Sequence, residues 1–326
     1  MQDLTFPEIE LSVSKNPCLA DIPDPRDFKF SEIMAGDVDV PGHFSLREKM
    51  TPPKSQGRRG TCTGFASTGI AEFHNAEEYK SPKIDLSEEY LFRRIKEIDV
   101  ADYGYRGYGA YLRSGAKALC KFGACLEKTA PYDGNDVESS WDSFNPTPVM
   151  TLEAETYRMA SYLQIGRSKE NIKRALFVSQ SPLLAGMTLF SSYRKAKNNG
   201  GLLPVPKAGE DVIGGHAMAI TGYTEKYVEF KNSWGATWGD KGYVHLPWEA
   251  LEHVYPSLWS FVDLILNPYV LTQQAIEANK KLLLDHQIDS WEKAIEKGGI
   301  ITASTLPNAV MTKGDFIVFA ARLGLI

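Results

Sequence analysis

The first half of the chain carries a helical hydrophobic pattern. In CTGFASTGIAEFHNAEEY the apolar residues recur at spacings of three to four, which places Phe65, Ile70 and Phe73 on one face. SEEYLFRRIKEI follows, with Ser87 where a helix N-cap is expected, and AYLRSGAKALCKFG closes at Gly123. These three segments predict three helices between about residues 62 and 125.

From about residue 183 the pattern changes to short apolar runs bounded by Gly, Pro and Asn. These runs are PLLAGMTLF, HAMAITGY, YVEFKNSW, GYVHLPW and SLWSFVDLIL, and each is typical of a strand. A helical half followed by a strand-rich half predicts an α+β fold. We expect a proline- and acid-rich N-terminal arm over residues 1–40, a folded domain over 41–268 and a helical C-terminal module over 269–326.

Composition and charge narrow the functional classes. The 326 residues are 43% hydrophobic and 24% charged, which is typical of a globular protein with a sizeable core. A formal net charge of −5 gives no basic field, so we expect neither a nucleic-acid nor a membrane partner. The start, MQDLTFPEIELSVSK, lacks the apolar run of a secretory signal peptide, and a cytoplasmic location is expected.

Four cysteines are few for this length and do not indicate a disulfide framework. Cys120 and Cys125 are five residues apart, which fits neither a metal-binding Cys pair nor one helix face, so we expect two plain buried thiols. The chain contains no HExxH motif, no paired Cys/His zinc pattern and no phosphate loop. We therefore expect no metal and no cofactor.

Cys62 is the exception among the cysteines, because it stands where a polar loop ends and an apolar-faced helix begins. The positive end of a helix dipole lowers a thiol pKa and favours a reactive thiolate. Downstream, His216 lies in GGHAMAITGY, and Asn232 follows in FKNSWGATWGDKGY. A nucleophilic thiol needs a base and an orienting partner. Each of these two residues alone is more often structural, whereas the three together predict a nucleophilic site.

The motifs QGRRGTC, GGHA and NSWGATWGDKGY, in this order, resemble those of the papain (C1) family of cysteine peptidases. FSLREKMTPPK, LSEEYLF and APYDG resemble further family landmarks, so the resemblance covers about residues 40–268. It implies a two-lobed fold, with a helical lobe and a β-barrel-like lobe. PDPRDF and the small number of cysteines are similar to the prokaryotic, disulfide-poor branch of that family.

The resemblance implies a role for each matched residue. Cys62 would attack the scissile carbonyl and form a thioester, and His216 would act as general base and then acid. Asn232 would orient the imidazole, and Trp234 would shield that hydrogen bond from water. Gln56 would donate its side-chain N–H to the oxyanion, where one donor contributes about 10²–10³ in rate.

Two positions depart from the family pattern near the nucleophile. Arg59 stands where secreted relatives have a disulfide-bonded cysteine, so that disulfide cannot form here. Thr63 replaces the usual aromatic neighbour of the nucleophile, which changes the rim of the cleft. The stretch between Cys62 and His216 is slightly longer than usual, and we expect the extra loop within WDSFNPTPVM.

Peptides or proteins are the expected substrates. A pocket for the second residue before the scissile bond is expected to take a medium apolar side chain. By a loose resemblance, the residues expected around the substrate are Tyr111, Leu112, Gly186, Thr188, Gly215, Trp234 and Trp238.

The tail after about residue 269 resembles a single repeat of the S-layer-homology type. Such a module could dock to a protein or cell-wall partner, and a packed helical cap is the alternative. Because of this tail, two alternative functions stay open, a cell-wall peptide hydrolase and an acyl transferase with the same Cys/His chemistry. A protein that is released or delivered by a phage is the alternative to a cytoplasmic one. An inactive peptide-binding scaffold is a further alternative.

The N-terminal arm contains SVSKNPCLADIPDP, whose prolines favour an extended backbone. Ten extended residues span about 30 Å, which is enough to cross a substrate cleft. We therefore expect part of residues 1 to about 30 to block the Cys62 site. The alternative is a structural strap, because PDPRDFKF has two phenylalanines that can pack on the domain surface.

Overall fold

The computed structural model describes residues 18–33, 38–79, 84–135 and 141–262. The predicted C-terminal module, with its S-layer-like motif, lies outside these residues, as do the first 17 residues of the arm.

Six α-helices lie within the described ranges, and three of them are the predicted ones. Ser87 caps the second predicted helix by accepting a hydrogen bond from the Tyr90 N–H at 3.0 Å. Gly123 follows the third with a positive φ of 69°, which a glycine adopts without strain. The helices are α1 (Phe30–Ile33), α2 (Cys62–Tyr79), α3 (Glu88–Tyr103), α4 (Leu112–Lys121), α5 (Pro148–Glu155) and α6 (Lys169–Ser179).

The strands form one large antiparallel sheet and one small pair. The large sheet has the order β4-β9-β5-β6-β7-β8, with β2 added to β6, while β1 pairs with β3 in parallel. The five strands predicted after residue 183 are confirmed. The strands are β1 (Cys18–Leu19), β2 (Phe44–Ser45), β3 (Ala110–Tyr111), β4 (Ser161–Gly166), β5 (Leu183–Phe190), β6 (Val212–Tyr223), β7 (Tyr227–Lys231), β8 (Tyr243–Pro247) and β9 (Ser257–Val262).

Three described elements between residues 141 and 182 were not predicted. SYLQIG forms β4, which pairs with the distant β9 and makes one parallel bridge to Lys29. The segment WDSFNPTPVM, predicted as loop, ends inside α5, where Thr147 is the N-cap and Pro148 occupies the first turn. Proline is favoured there because it needs no hydrogen-bond partner for a backbone N–H. Helix α6 then leads back to β5.

The sheet separates two hydrophobic cores because successive side chains of a strand point to opposite faces. On β6, Ala217 and Ala219 face the helical lobe, and Met218 and Ile220 face the core covered by α6. The small alanines let α2 pack closely on β6, which brings the first residue of α2 beside the middle of that strand. The arrangement confirms the α+β, two-lobed fold, with a cleft where the lobes meet.

All four cysteines are thiols, and none is in a disulfide. Cys125 is buried as predicted, whereas Cys120 is half-buried, so the prediction was wrong for that residue. Cys120 lies in the last turn of α4, where the helix end approaches the surface.

Candidate active site

The Cys62 thiol lies at the junction of the two lobes. Cys62 is the first residue of α2, and its side chain is fully buried. Its Sγ atom accepts a hydrogen bond from the backbone N–H of Ala217 on β6, at 3.4 Å. The sulfur therefore touches the strand at the residue next to His216.

His216 and Asn232 form a buried side-chain pair. Nε2 of His216 lies 2.8 Å from Oδ1 of Asn232, and the same oxygen accepts the Ser233 backbone N–H at 2.8 Å. Because that backbone N–H can only donate, the amide is oriented with its oxygen toward the imidazole. Nε2 must then carry the proton. Nδ1 is left as a bare acceptor, buried and without a hydrogen-bond partner in the described part of the chain.

Two tryptophans cover this pair on one side. The Trp234 ring stacks on the His216 ring, with centroids 4.6 Å apart and an interplanar angle of 24°. Trp238 meets Trp234 edge to face at 4.6 Å. Both indoles are buried, so they keep water from the imidazole and fix its plane.

Gln56 is fully buried and lies beside Ser233, the residue after Asn232. Its Oε1 accepts the Ser233 hydroxyl at 2.6 Å, and its Nε2 donates to the Arg59 carbonyl at 2.7 Å. The Tyr132 hydroxyl donates to the Gln56 carbonyl at 2.8 Å. Since a primary amide has two N–H groups, one donor of Nε2 remains beyond the bond to Arg59.

The pKa values of Cys62 and His216 differ from what the sequence predicted. Burial raises the pKa of Cys62 to about 11, although the Ala217 N–H acts in the opposite direction. Burial also lowers the pKa of His216 to about 4, against the effect of Asn232. The prediction of a lowered thiol pKa is thus wrong for this structure, because loss of hydration outweighs the helix dipole. Both groups are neutral near pH 7.

The N-terminal arm covers this site. Strand β1, Cys18 and Leu19, pairs in parallel with Ala110 and Tyr111 of β3, and the Cys18 side chain is fully buried. The Cys18 carbonyl accepts the Tyr255 hydroxyl at 2.9 Å. A two-residue strand is thereby bound on both edges of the cleft, with hydrogen bonds to its backbone.

Two acidic side chains anchor the arm just after β1. Asp21 accepts the backbone N–H of Arg113 at 2.7 Å and the indole N–H of Trp259 at 2.8 Å. Burial raises the pKa of Asp21 to about 6, partly offset by these donors. Asp27 forms an ion pair with the Arg113 guanidinium at 2.5 Å, with both side chains 7% exposed.

The residues expected around the substrate fall into two groups. Tyr111, Gly186 and Gly215 lie against the arm. Thr188 is half-buried opposite Gly215 in the β5–β6 register. Leu112 is buried in the same apolar cluster as Cys18 of the arm, whereas Trp234 and Trp238 lie at the histidine.

Three contact residues were not assigned from the sequence. Ser233 and Tyr132 hold Gln56, and both lie inside quoted motifs, NSWG and APYDG, which could have indicated them. Tyr255 lies between a short 3-10 helix, Trp248–His253, and β9, and no sequence signal distinguishes it. Among the described residues there is no cluster of three potential metal ligands, and no helix is long and apolar enough to cross a membrane.

Comparisons with known proteins identify the family. The model of the papain family cysteine protease matches residues 40–252. An uncharacterised peptidase C1-like protein of Acanthamoeba polyphaga mimivirus is 30% identical over 258 residues, covering 71% of this chain and 78% of that protein. Papain of Carica papaya is 25% identical, covering 68% of this chain and 59% of papain.

Solved structures agree with the fold. Xylellain, a cysteine protease from Xylella fastidiosa, superposes with a TM-score of 0.65 at 26% identity, covering 77% of this chain and 97% of xylellain. The family model spans most of the domain that holds Cys62, His216 and Asn232. The chain belongs to the papain family of cysteine proteases.

Proposed function

We propose that the chain hydrolyses peptide bonds through a thioester on Cys62. His216 Nδ1 takes the thiol proton as Sγ attacks the scissile carbonyl carbon, and the carbonyl oxygen becomes an oxyanion. When the tetrahedral intermediate collapses, the imidazolium gives this proton to the leaving amine. Water, deprotonated by the same imidazole, then hydrolyses the thioester and restores the thiol.

One observation carries this assignment. The bond between His216 Nε2 and Asn232 Oδ1 fixes the tautomer that leaves Nδ1 bare, and Nδ1 is buried with no hydrogen-bond partner among the described residues. A buried acceptor without a partner is unfavourable, and Nδ1 is therefore available to accept a proton. The Cys62 thiol can donate its proton to Nδ1, because the sulfur is hydrogen-bonded to the backbone N–H of Ala217, the residue after His216.

Gln56 supplies the oxyanion donor in this proposal, together with the backbone N–H of Cys62 at the start of α2. The remaining Nε2 hydrogen supports this role, since Ser233 and the Arg59 carbonyl already fix the amide. Donors fixed in advance stabilise developing charge without reorganisation during the reaction.

The experiment is hydrolysis of a fluorogenic peptide library by wild type and by Cys62→Ala. We expect the variant to lose hydrolysis and keep its Tm within a few degrees, because alanine fits at a helix start. Cys120→Ala is the matched control, a half-buried thiol outside the site, and it should keep full activity. Hydrolysis by Cys62→Ala at the wild-type rate would refute the assignment.

We further propose that the N-terminal arm inhibits the enzyme until it is displaced or cleaved. The pairing of β1 with β3 and the complete burial of Cys62 support this, because a peptide must displace the arm before it reaches the thiol. A chain beginning at Asp24 lacks β1 and should have at least a tenfold higher kcat/KM than the full chain. Equal kcat/KM values, with equal alkylation rates at Cys62, would make the arm a structural strap.

A reducing compartment, such as the cytoplasm, fits the four thiols, and we propose that the chain belongs to the disulfide-poor, prokaryotic type. The likeness to a bacterial enzyme, xylellain, supports this. Non-reducing mass analysis of freshly purified protein should find four alkylatable thiols after denaturation. A Cys120–Cys125 disulfide would contradict the proposal.

A further inference from the structure

Tyr255 occupies a gap that two glycines leave open. Its backbone N–H donates to the Gly186 carbonyl at 2.7 Å, which fixes the residue beside β5. A Cβ added at Gly186 would lie 2.4 Å from the ring carbon Cδ2, and one added at Gly215 would lie 2.2 Å from the hydroxyl. Both distances are too short for atoms that are not bonded to each other, so the Tyr255 ring can occupy this position only with glycine at both sites.

The same ring forms one wall of the space that holds the arm. The Cys18 sulfur lies 3.0 Å from the position of a Gly186 Cβ, and the Cys18 carbonyl lies 2.3 Å from that of a Gly215 Cβ. The Tyr255 hydroxyl donates to this carbonyl at 2.9 Å. The fully buried Cys18 side chain therefore fills a small pocket closed by the tyrosine.

The pocket adjoins the Cys62 thiol. Cys18, Cys62, Leu184 and Ala217 belong to one buried apolar cluster, with Tyr255 packed against it. A peptide that approaches the thiol along β3 would place a side chain where that of Cys18 now lies, and a carbonyl within reach of the Tyr255 hydroxyl.

We propose that Tyr255 determines the substrate specificity of the peptidase, restricting one subsite to small side chains and binding the backbone carbonyl of the same residue. The inference rests on the proposed peptidase function. Glycine, alanine, serine and cysteine fit this subsite, and leucine or phenylalanine collides with the ring. This replaces the expectation of a medium apolar residue, which did not include Tyr255.

The first test profiles wild type, Tyr255→Phe and Tyr255→Ala on fluorogenic peptides varied at each of three positions before the scissile bond. At one position, wild type should prefer alanine over leucine in kcat/KM by about 10- to 100-fold, the range expected for overpacking. Tyr255→Ala should remove or reverse this preference at the same position. Tyr255→Phe should keep it and lose about 2- to 10-fold in kcat/KM on every substrate, because only the hydrogen bond is absent.

The second test uses the full chain and needs no peptidase activity. Its readout is the rate at which iodoacetamide alkylates Cys62. Cys18→Ala should protect Cys62 as well as wild type does, whereas Cys18→Phe should displace the arm and raise the rate at least tenfold. Leu19→Phe is the control, since the adjacent side chain is only half-buried. Adding Tyr255→Ala to Cys18→Phe should again protect Cys62 from alkylation, because the phenylalanine ring at position 18 fits into the space that the Tyr255 ring leaves.

The outcomes separate the two proposals. A wild-type preference for leucine, an unchanged profile in Tyr255→Ala, or full protection in Cys18→Phe would overturn the role of Tyr255. A failure of the peptidase assignment would instead appear as undiminished hydrolysis by Cys62→Ala, and the alkylation series would still report on the pocket. If Tyr255→Ala does not fold, as judged by Tm, the Tyr255→Phe and Cys18 variants decide the question.

Discussion

Arg59 and Glu89 form an ion pair close to Cys62 along the chain. The two side chains meet through both guanidinium nitrogens and both carboxylate oxygens, and they are 10% and 11% exposed. The guanidinium also lies over the Tyr132 ring, 4.9 Å from its centroid. This pair ties the loop before Cys62 to the first turn of α3.

Arg59→Met would leave the Glu89 carboxylate nearly buried and without its cation. Removing one partner of a buried ion pair costs about 3–5 kcal/mol, and we expect the lower value because a tenth of each side chain is exposed. For a domain of this size, about 3 kcal/mol corresponds to a fall in Tm of roughly 6–12 °C. Glu89→Gln with Arg59→Met removes both charges and should recover most of that loss.

Thermal unfolding at pH 7 and constant salt compares wild type with the single and the double variant. The single variant has a second expected effect, because the Arg59 carbonyl accepts Nε2 of Gln56. Loosening this loop should lower kcat more than it raises KM. A Tm within about 2 °C of wild type for Arg59→Met would refute the reasoning. So would a double variant that is no more stable than the single one.

Three further predictions follow from individual contacts. Gln56→Ala should lower kcat by about two to three orders of magnitude with little change in KM, and an effect on KM alone would exclude an oxyanion donor. Burial lowers the pKa of His74 to about 4, so its neutral form stabilises the fold above pH 6.5 and this contribution is lost as the pH falls to 4. Urea titrations should show that His74→Gln loses up to about 3 kcal/mol less stability than wild type between pH 7 and 4. Equal losses in the two proteins would contradict a lowered pKa of His74. In the chain beginning at Asp24, Cys62 should react with iodoacetamide at lower pH than in the full chain, because exposure restores hydration of the thiolate, and identical pH profiles would contradict this.

The sequence predicted the elements whose signals are local. Ser87 and Gly123 mark helix ends through their own side chain or backbone conformation, and both predictions are confirmed. The motifs around Cys62 and His216 also placed these residues at a helix start and on a strand, as the structure has them. Each of these features depends on a few neighbouring residues.

Contacts between residues far apart in the chain could not be predicted from the sequence. The parallel pairing of Cys18 with Ala110 joins segments far apart in the chain, and Tyr255 reaches the site only because β9 lies beside β5. The predicted lowering of the Cys62 pKa was wrong for the same reason. The helix start is visible in the sequence around Cys62, but the burial that outweighs its effect on the pKa depends on the folded surroundings of the thiol.

Reaction with an epoxysuccinyl inhibitor, followed by mass mapping of the labelled peptide, tests the central claim most directly. The account predicts one label per chain, on Cys62 alone, formed slowly in the full chain and faster in the chain beginning at Asp24. Cys62→Ala should take up no label, although Cys120 is half-buried and more accessible. A label on another cysteine, or no label on Cys62 once the arm is removed, would contradict a nucleophilic Cys62.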